Sequence, residues 1–302
     1  MDRHHPKYNE DFLKLRTDPK AGDGKWEYFT LRDGTRMFVQ YWLPEGEGAN
    51  RVLVCLHGLS AHGWYFSRLA DALVPAGIGV YAPDYRGHGL SDGVKGDLPG
   101  VAQIVDDMKE FVGWVRSRHP GAKVFTLGES MGGAVNVNLM IDAPELSNGM
   151  VLLAPAIKPA MKFTWKDILK TPFYLLALLI HSSWRVVRMT GDEHRGMRDP
   201  ENIRYDRNDP LHLKYISVRY LLGIKRIMDR AAKEGPAVRL PSLIVQGGRD
   251  VAVSPQGTRS FHDALASTDK TFKFYPEALH CMQMDPDCKD MLSIIREWML
   301  AR

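Results

Sequence analysis

The stretch Lys123-Val124-Phe125-Thr126-Leu127-Gly128-Glu129-Ser130-Met131-Gly132-Gly133-Ala134 constrains this chain more than any other. Lys123 to Leu127 is short and apolar and reads as a buried strand, while Ala134 to Ile141 reads as a buried helix. Gly128-x-Ser130-x-Gly132 therefore falls where strand turns into helix, which makes it a nucleophile elbow rather than an ordinary Gly/Ser turn. A serine in so tight a turn takes a strained backbone with its hydroxyl exposed, and small residues at 128, 132 and 133 let strand and helix close around it. The Met131 N–H, at the helix N-terminus, then points to where an oxyanion would form.

The rest of the chain supplies strands for one sheet. Trp26–Leu31 and Met37–Leu43, joined by Arg32-Asp33-Gly34, read as a hairpin, because Asp-Gly provides the positive φ angles a tight turn needs. Arg51–Leu56 is a continuous apolar run, as expected for a parallel strand covered on both faces. It ends at His57-Gly58-Leu59, where a glycine lets the backbone approach a ligand and an amide near Leu59 becomes a second oxyanion donor. A helix over about 63–74, strand Ile78–Ala82 and a helical pattern within 98–118 lead to the elbow strand. Gly77-x-Gly79-x-x-Ala82 imitates a dinucleotide fingerprint but begins a strand instead of following one, so it is set aside.

Beyond the elbow helix, strand 149–154 should be followed by one crossover helix and another parallel strand, yet the next such strand is Ser242–Gln246. The intervening residues form an insertion at the sheet's carboxyl edge, where α/β proteins bind ligands. The expected organisation is a polar lead-in over 1–24, an α/β core over 25–155 and 240–302, and a cap over 156–239. A helix near 255–266, strand Thr271–Tyr275 and a last helix, Cys288–Leu300, complete the core. A length of 302 residues suits one core with an insertion, and no linker, repeat or low-complexity tract favours more.

A serine hydroxyl needs a base within hydrogen-bond reach, and the base needs an anion to fix its tautomer. Asp250 and His280 each follow a strand at its carboxyl end, and the order Ser130, Asp250, His280 is that of the α/β-hydrolase triad. Asp84, Asp285 and Asp287 are competing carboxylates. His57 is a second base by residue type, but it precedes the nucleophile and suits a structural role; with Gly58 and Trp64, and with Phe173 and Leu176 in the cap, it is also a candidate substrate contact. Glu129 is expected to hydrogen-bond beneath the elbow rather than do chemistry.

From about Trp26 onward the chain resembles α/β-hydrolases of the monoacylglycerol lipase and lysophospholipase group, also called serine aminopeptidase-like hydrolases. The matching residues are His57-Gly58-x-x-x-His62 with Tyr65, Asp84-x-Arg86-Gly87-His88-Gly89-x-Ser91, Gly128 to Ala134, Ala154-Pro155, Gly248-x-Asp250 and Leu279-His280. The resemblance implies an eight-stranded, mainly parallel sheet, a cap between its sixth and seventh strands, the triad above, and Leu59 and Met131 as oxyanion donors. Gly63 and Trp64 depart from the more polar pair expected there, and the cap over 159–239 shows little that matches. The expected activity is ester hydrolysis of a lipophilic acyl ester, monoacylglycerol first, without metal or organic cofactor. Lysophospholipase, short-chain esterase, thioesterase and amidase activities share the same triad, and a non-catalytic ligand receptor is the rival from another class.

The formal charge of +4 hides an asymmetry, since residues 155–240 carry 17 Lys and Arg against 9 Asp and Glu, a net of +8 that leaves −4 for the remainder. Lys158, Lys162, Lys166 and Lys170 recur every fourth residue beside an apolar set, Phe163, Trp165, Phe173, Tyr174, Leu175, Leu176, Leu178, Leu179, Ile180 and Trp184. That pattern fits a lid that touches a lipid surface, and equally a lid helix packed on the body with a solvated lysine face. The basic residues are interleaved with acids and match no nucleic-acid motif. An odd count of cysteines (Cys55, Cys281, Cys288) without C-x-x-C, and no apolar run after the polar N-terminus, lead us to expect a cytosolic or membrane-peripheral protein. Oligomeric state has no signal in the sequence.

Overall fold

The computed structural model describes residues 24–45, 49–98, 100, 102–160, 165–189, 196–288 and 290–302. The lead-in over 1–23, Lys162 and Phe163, and the side chains of Trp165, Lys166, Lys170 and Asp287 lie outside what is described.

Alternation along the strands builds two apolar layers. Strands β1 (Lys25–Thr30), β2 (Arg36–Trp42), β3 (Arg51–Leu56), β4 (Ile78–Pro83), β5 (Lys123–Glu129) and β6 (Met150–Leu153) precede the insertion. β9 (Ser242–Gly247) and β10 (Lys270–Tyr275) follow it, and the eight form one sheet in the order β1-β2-β4-β3-β5-β6-β9-β10. β1 with β2 and β2 with β4 are antiparallel and every other pair is parallel, so the sheet has the mainly parallel character expected. In β3, Val52, Val54 and Leu56 enter one buried cluster and Leu53 and Cys55 the other. The first cluster takes in helices α2 (Ala102–Arg118) and α3 (Met131–Asp142), and the second α1 (Ser67–Leu73) and α8 (Met291–Leu300). With both faces covered, the central strands can be apolar throughout.

The insertion between β6 and β9 holds α4 (Trp165–His181), β7 (Arg185–Arg188), α5 (Pro200–Asn208), β8 (Tyr215–Ser217) and α6 (Val218–Glu234). β7 and β8 pair as a short antiparallel ribbon, too brief to register as a period in the sequence. α6 belongs to the body rather than to a cap. Its Ile224, Ile227 and Ala231 join the first core cluster, and Asn138 Nδ2 of α3 donates to Ile227 O at 2.8 Å. It thus serves as the crossover helix that parallel β6 and β9 require, and the part raised over the sheet ends near Ser217. Among the described residues no helix is long and apolar enough to cross a membrane. α7 (Pro255–Ala264) and then α8 finish the chain; α8 starts at Met291, later than expected, behind a 3₁₀ turn at Pro286–Cys288.

The elbow depends on missing side chains. A Cβ on Gly132 would lie 2.0 Å from Leu56 O, and one on Gly128 would lie 2.3 Å from Gly132 O, so backbone occupies that space in both cases. Gly132→Ala is therefore expected to cost more than about 3 kcal/mol, because backbone rather than a movable side chain must yield. Urea unfolding of the variant checks this, and a midpoint close to the parent's would show that the elbow can relax.

Candidate active site

Ser130 follows β5 with φ 53° and ψ −119°, a left-handed conformation that a residue with a Cβ disfavours. Its neighbours hold it there. Ser130 N–H donates to Leu153 O at 3.0 Å, and Ser130 O accepts from Gly133 N–H at 2.9 Å and Ala156 N–H at 2.8 Å. The strain is thus carried by β6 and by the first turn of α3.

Asp250 and His280 stand on the loops after β9 and β10, and both reach Ser130. His280 Nε2 lies 2.9 Å from Ser130 Oγ, and His280 Nδ1 lies 2.8 Å from Asp250 Oδ2. Gln246 Nε2 donates to the same Oδ2 at 3.1 Å, while Oδ1 accepts from Ala252 N–H at 2.8 Å and Val253 N–H at 2.9 Å. Burial pushes the Asp250 carboxyl up, but the His280 partner and these donors outweigh it and leave it below its ordinary value. It is thus the acceptor, which places the histidine proton on Nδ1 and leaves Nε2 to accept from the serine hydroxyl. Burial likewise pushes His280 down, and the Asp250 bond and charge, with Glu129 nearby, reverse this and leave it raised. Such a chain can draw a proton from Ser130 Oγ onto His280.

The end of β3 supplies the facing wall. A Cβ on Gly58 would lie 3.4 Å from Ser130 Cβ, so the 58–59 turn passes close to the serine. Among the described residues neither the Leu59 nor the Met131 N–H has a hydrogen-bond partner. His57 is fully buried beneath this turn, with its Nδ1 2.8 Å from Gly58 O and its Nε2 accepting from Tyr85 N–H at 3.1 Å. Burial pushes its pKa down to about 3, so it stays neutral. The carbonyl it holds shares a planar peptide with the Leu59 N–H, so His57 fixes where that amide points.

Four of the expected substrate contacts stand in surroundings of other kinds. His57 has both ring nitrogens engaged by backbone and takes the structural role instead of a substrate contact. Trp64 is a core residue, 5% exposed and edge-on to Trp42 at 5.9 Å, because Gly63 N–H is drawn inward onto Asp84 Oδ1 at 2.7 Å. Phe173 and Leu176 are 52% and 53% exposed on α4, and no described contact brings them to Ser130. Of the competing carboxylates, Asp84 is consumed by the Gly63 and Leu90 amides and Asp285 by Leu279 N–H and Arg198. Glu129 accepts from Gln283 Nε2 at 2.7 Å beneath the elbow. Gln246 went unnoticed in the sequence, although a polar residue in a fully buried strand must find a partner and so carried a signal.

On this fold, that arrangement defines one class of enzyme, the α/β-hydrolases. Residues 47–287 match the family described as serine aminopeptidase, S33, and the chain belongs to that family. Proteins named as monoacylglycerol lipases are among those it is similar to. It is 28% identical over 273 residues to a monoacylglycerol lipase of Mycolicibacterium smegmatis, covering 89% of this chain and 94% of the relative. It is 29% identical over 276 residues to a monoglyceride lipase of Rattus norvegicus, covering 89% and 88%. A crystal structure of a Paleococcus ferrophilus monoacylglycerol lipase superimposes with a TM-score of 0.76 at 25% identity, covering 88% of this chain and 98% of that one.

A base at His280 must be neutral to take a proton, and its surroundings raise its pKa, so kcat/KM for ester hydrolysis is expected to fall as pH drops, with a midpoint above the ordinary histidine value of 6.5. Asp250→Asn is expected to lower both the rate and that midpoint. A pH–rate profile checks both, and an unchanged midpoint in Asp250→Asn would remove the carboxylate as the cause.

Proposed function

We propose that this protein hydrolyses monoacylglycerols through an acyl-enzyme on Ser130. The observation that carries the reading is the continuous Ser130–His280–Asp250 hydrogen-bond chain beside two unpartnered amides. Ser130 Oγ attacks the ester carbonyl while His280 Nε2 takes its proton, and Asp250 stabilises the imidazolium. The Leu59 and Met131 amides hold the tetrahedral oxyanion, which carries more charge than the ground-state carbonyl and so gains most from them. His280 then protonates the leaving alcohol, and water activated by the same histidine cleaves the acyl-enzyme.

The lipophilic substrate class is supported by the activities named for the relatives and by α4. Phe173, Leu175, Leu176, Leu179 and Ile180 are 52 to 84% exposed on that helix, with Trp184 just beyond it at 48%. Exposed large side chains this close together mark a surface that meets lipid or partner. In this reading α4 lies against the lipid phase from which the monoacylglycerol is drawn, as a peripheral contact without insertion across it.

The test is fatty-acid release from 1-acylglycerols of increasing chain length, run beside short p-nitrophenyl esters. Long monoacylglycerols are expected to be hydrolysed fastest, and Ser130→Ala to lose at least about a thousandfold in kcat. Turnover of short esters alone would make this a general esterase, and no turnover of either would overturn the hydrolase reading.

A further inference from the structure

The stretch from Gly196 to Leu213 crosses above the sheet and is tied to the body on both sides of Ser130. On the oxyanion side, Leu213 N–H donates to Ser60 O at 3.1 Å and Asp209 Oδ2 lies 2.8 Å from His62 Nε2. On the base side, Gly196 O accepts from Cys281 N–H at 3.0 Å, and Asn202 Nδ2 donates to Met284 O at 3.4 Å. A further tie there is ionic. Arg198 Nε donates to Asp285 Oδ2 at 3.3 Å and its Nη2 donates to Oδ1.

Asp285 is where this tie meets the chemistry. Its side chain is 2% exposed, against 33% for Arg198. The same Oδ2 that meets the guanidinium accepts from Leu279 N–H at 3.0 Å, and Leu279 is the residue before His280. One buried carboxylate thus joins a cap cation to the backbone that presents the base. We propose that Arg198 is a positioning residue for His280, acting through Asp285. The proposal rests on the hydrolase reading given above.

Without the guanidinium, the nearly buried Asp285 carboxylate loses the two hydrogen bonds that Arg198 gives it. Its Oδ2 is then held less firmly, and its bond to Leu279 N–H loosens. His280 sits one residue further on and must hold its Nε2 at 2.9 Å from Ser130 Oγ, a geometry in which small displacements are costly in rate. Arg198 suits the task because its planar fork reaches both carboxylate oxygens, which a lysine cannot do.

A cap residue that only shaped the acyl pocket would act differently. Its loss would raise KM for long acyl chains and leave a two-carbon ester untouched. A positioning role lowers kcat for every substrate alike, and it slows phosphonylation of Ser130 by a small fluorophosphonate, a reaction that uses the serine and histidine but no acyl pocket.

The experiment measures kcat and KM for p-nitrophenyl acetate and for a long 1-acylglycerol, together with the phosphonylation rate by a short-chain alkyl fluorophosphonate. The proteins are the full chain and its Arg198→Met, Arg198→Lys, Asp285→Asn and Arg198→Met/Asp285→Asn variants, with thermal melts as the folding control. Expected are a loss of about tenfold in kcat on both esters and in phosphonylation for Arg198→Met, KM for the acetate within about twofold, partial recovery with lysine, and a double variant no worse than the poorer single. Parent-like phosphonylation in folded Arg198→Met, or a loss confined to the long ester, would overturn the proposal. If Arg198→Met does not fold, Arg198→Lys and Asp285→Asn decide by the same rates. A parent that is phosphonylated but hydrolyses no monoacylglycerol would sink the substrate reading while leaving this one measurable.

Discussion

The backbone of Ser130 in a left-handed conformation is the constraint on which the site depends. The penalty for placing a serine there is offset by the hydrogen bonds its peptide groups make to β6, to α3 and to the segment after β6. The same packing presses the start of α3 onto the end of β3, since Gly132 stands against Leu56 O. That contact brings the 58–59 turn beside Ser130, so the serine and this turn are held together by one close approach. The fold supplies the force that maintains it, through two apolar layers that bury both faces of the sheet.

Three histidines near the site show how surroundings assign roles to one residue type. His57 is buried with only backbone partners and is held neutral. His62 is equally buried, but Asp209, Asp206 and Asp84 surround it and leave it raised despite its burial. His280 is raised too, by its hydrogen-bonded Asp250 with Glu129 nearby, and it alone of the three has its second nitrogen on the serine hydroxyl. A neutral histidine fixes a peptide, one paired with a carboxylate reaches across to Asp209, and the one with an acid behind and a hydroxyl in front can transfer a proton.

Much of this was readable from residue order. Continuous apolar runs announced the parallel strands, and Gly128 to Gly132 between a strand and a helix announced the elbow. The positions of Asp250 and His280 after later strands placed them at the same sheet edge as Ser130. What could not be read depends on contacts between segments far apart in the chain. Trp64 has the composition of a ligand-facing aromatic, and only Trp42 on β2 and Asp84 just after β4 show that its turn faces inward. Val218–Glu234 has an apolar stripe, yet no local pattern states that it packs on α3 as the crossover helix. β7 and β8 span four and three residues, below what periodicity can detect. Asp285 looked like a rival to Asp250, and its real partners, Leu279 and Arg198, lie on the loop it closes and on the cap.

The insertion is fastened to the body at both of its ends. At its start Pro159 bridges Val253 and Ala160 N–H bonds to Ala252 O; at its finish Ser217 N–H bonds to Gly96 O just before α6. The ends therefore stand at a fixed separation whatever lies between them, and the entropy of closing the loop grows only slowly with its length. Sequence between the two anchors can lengthen, shorten or be exchanged for another lid at little thermodynamic penalty to the sheet. The body thus behaves as a socket, and the insertion outside the Gly196–Leu213 ties is the part that can vary without rebuilding the elbow.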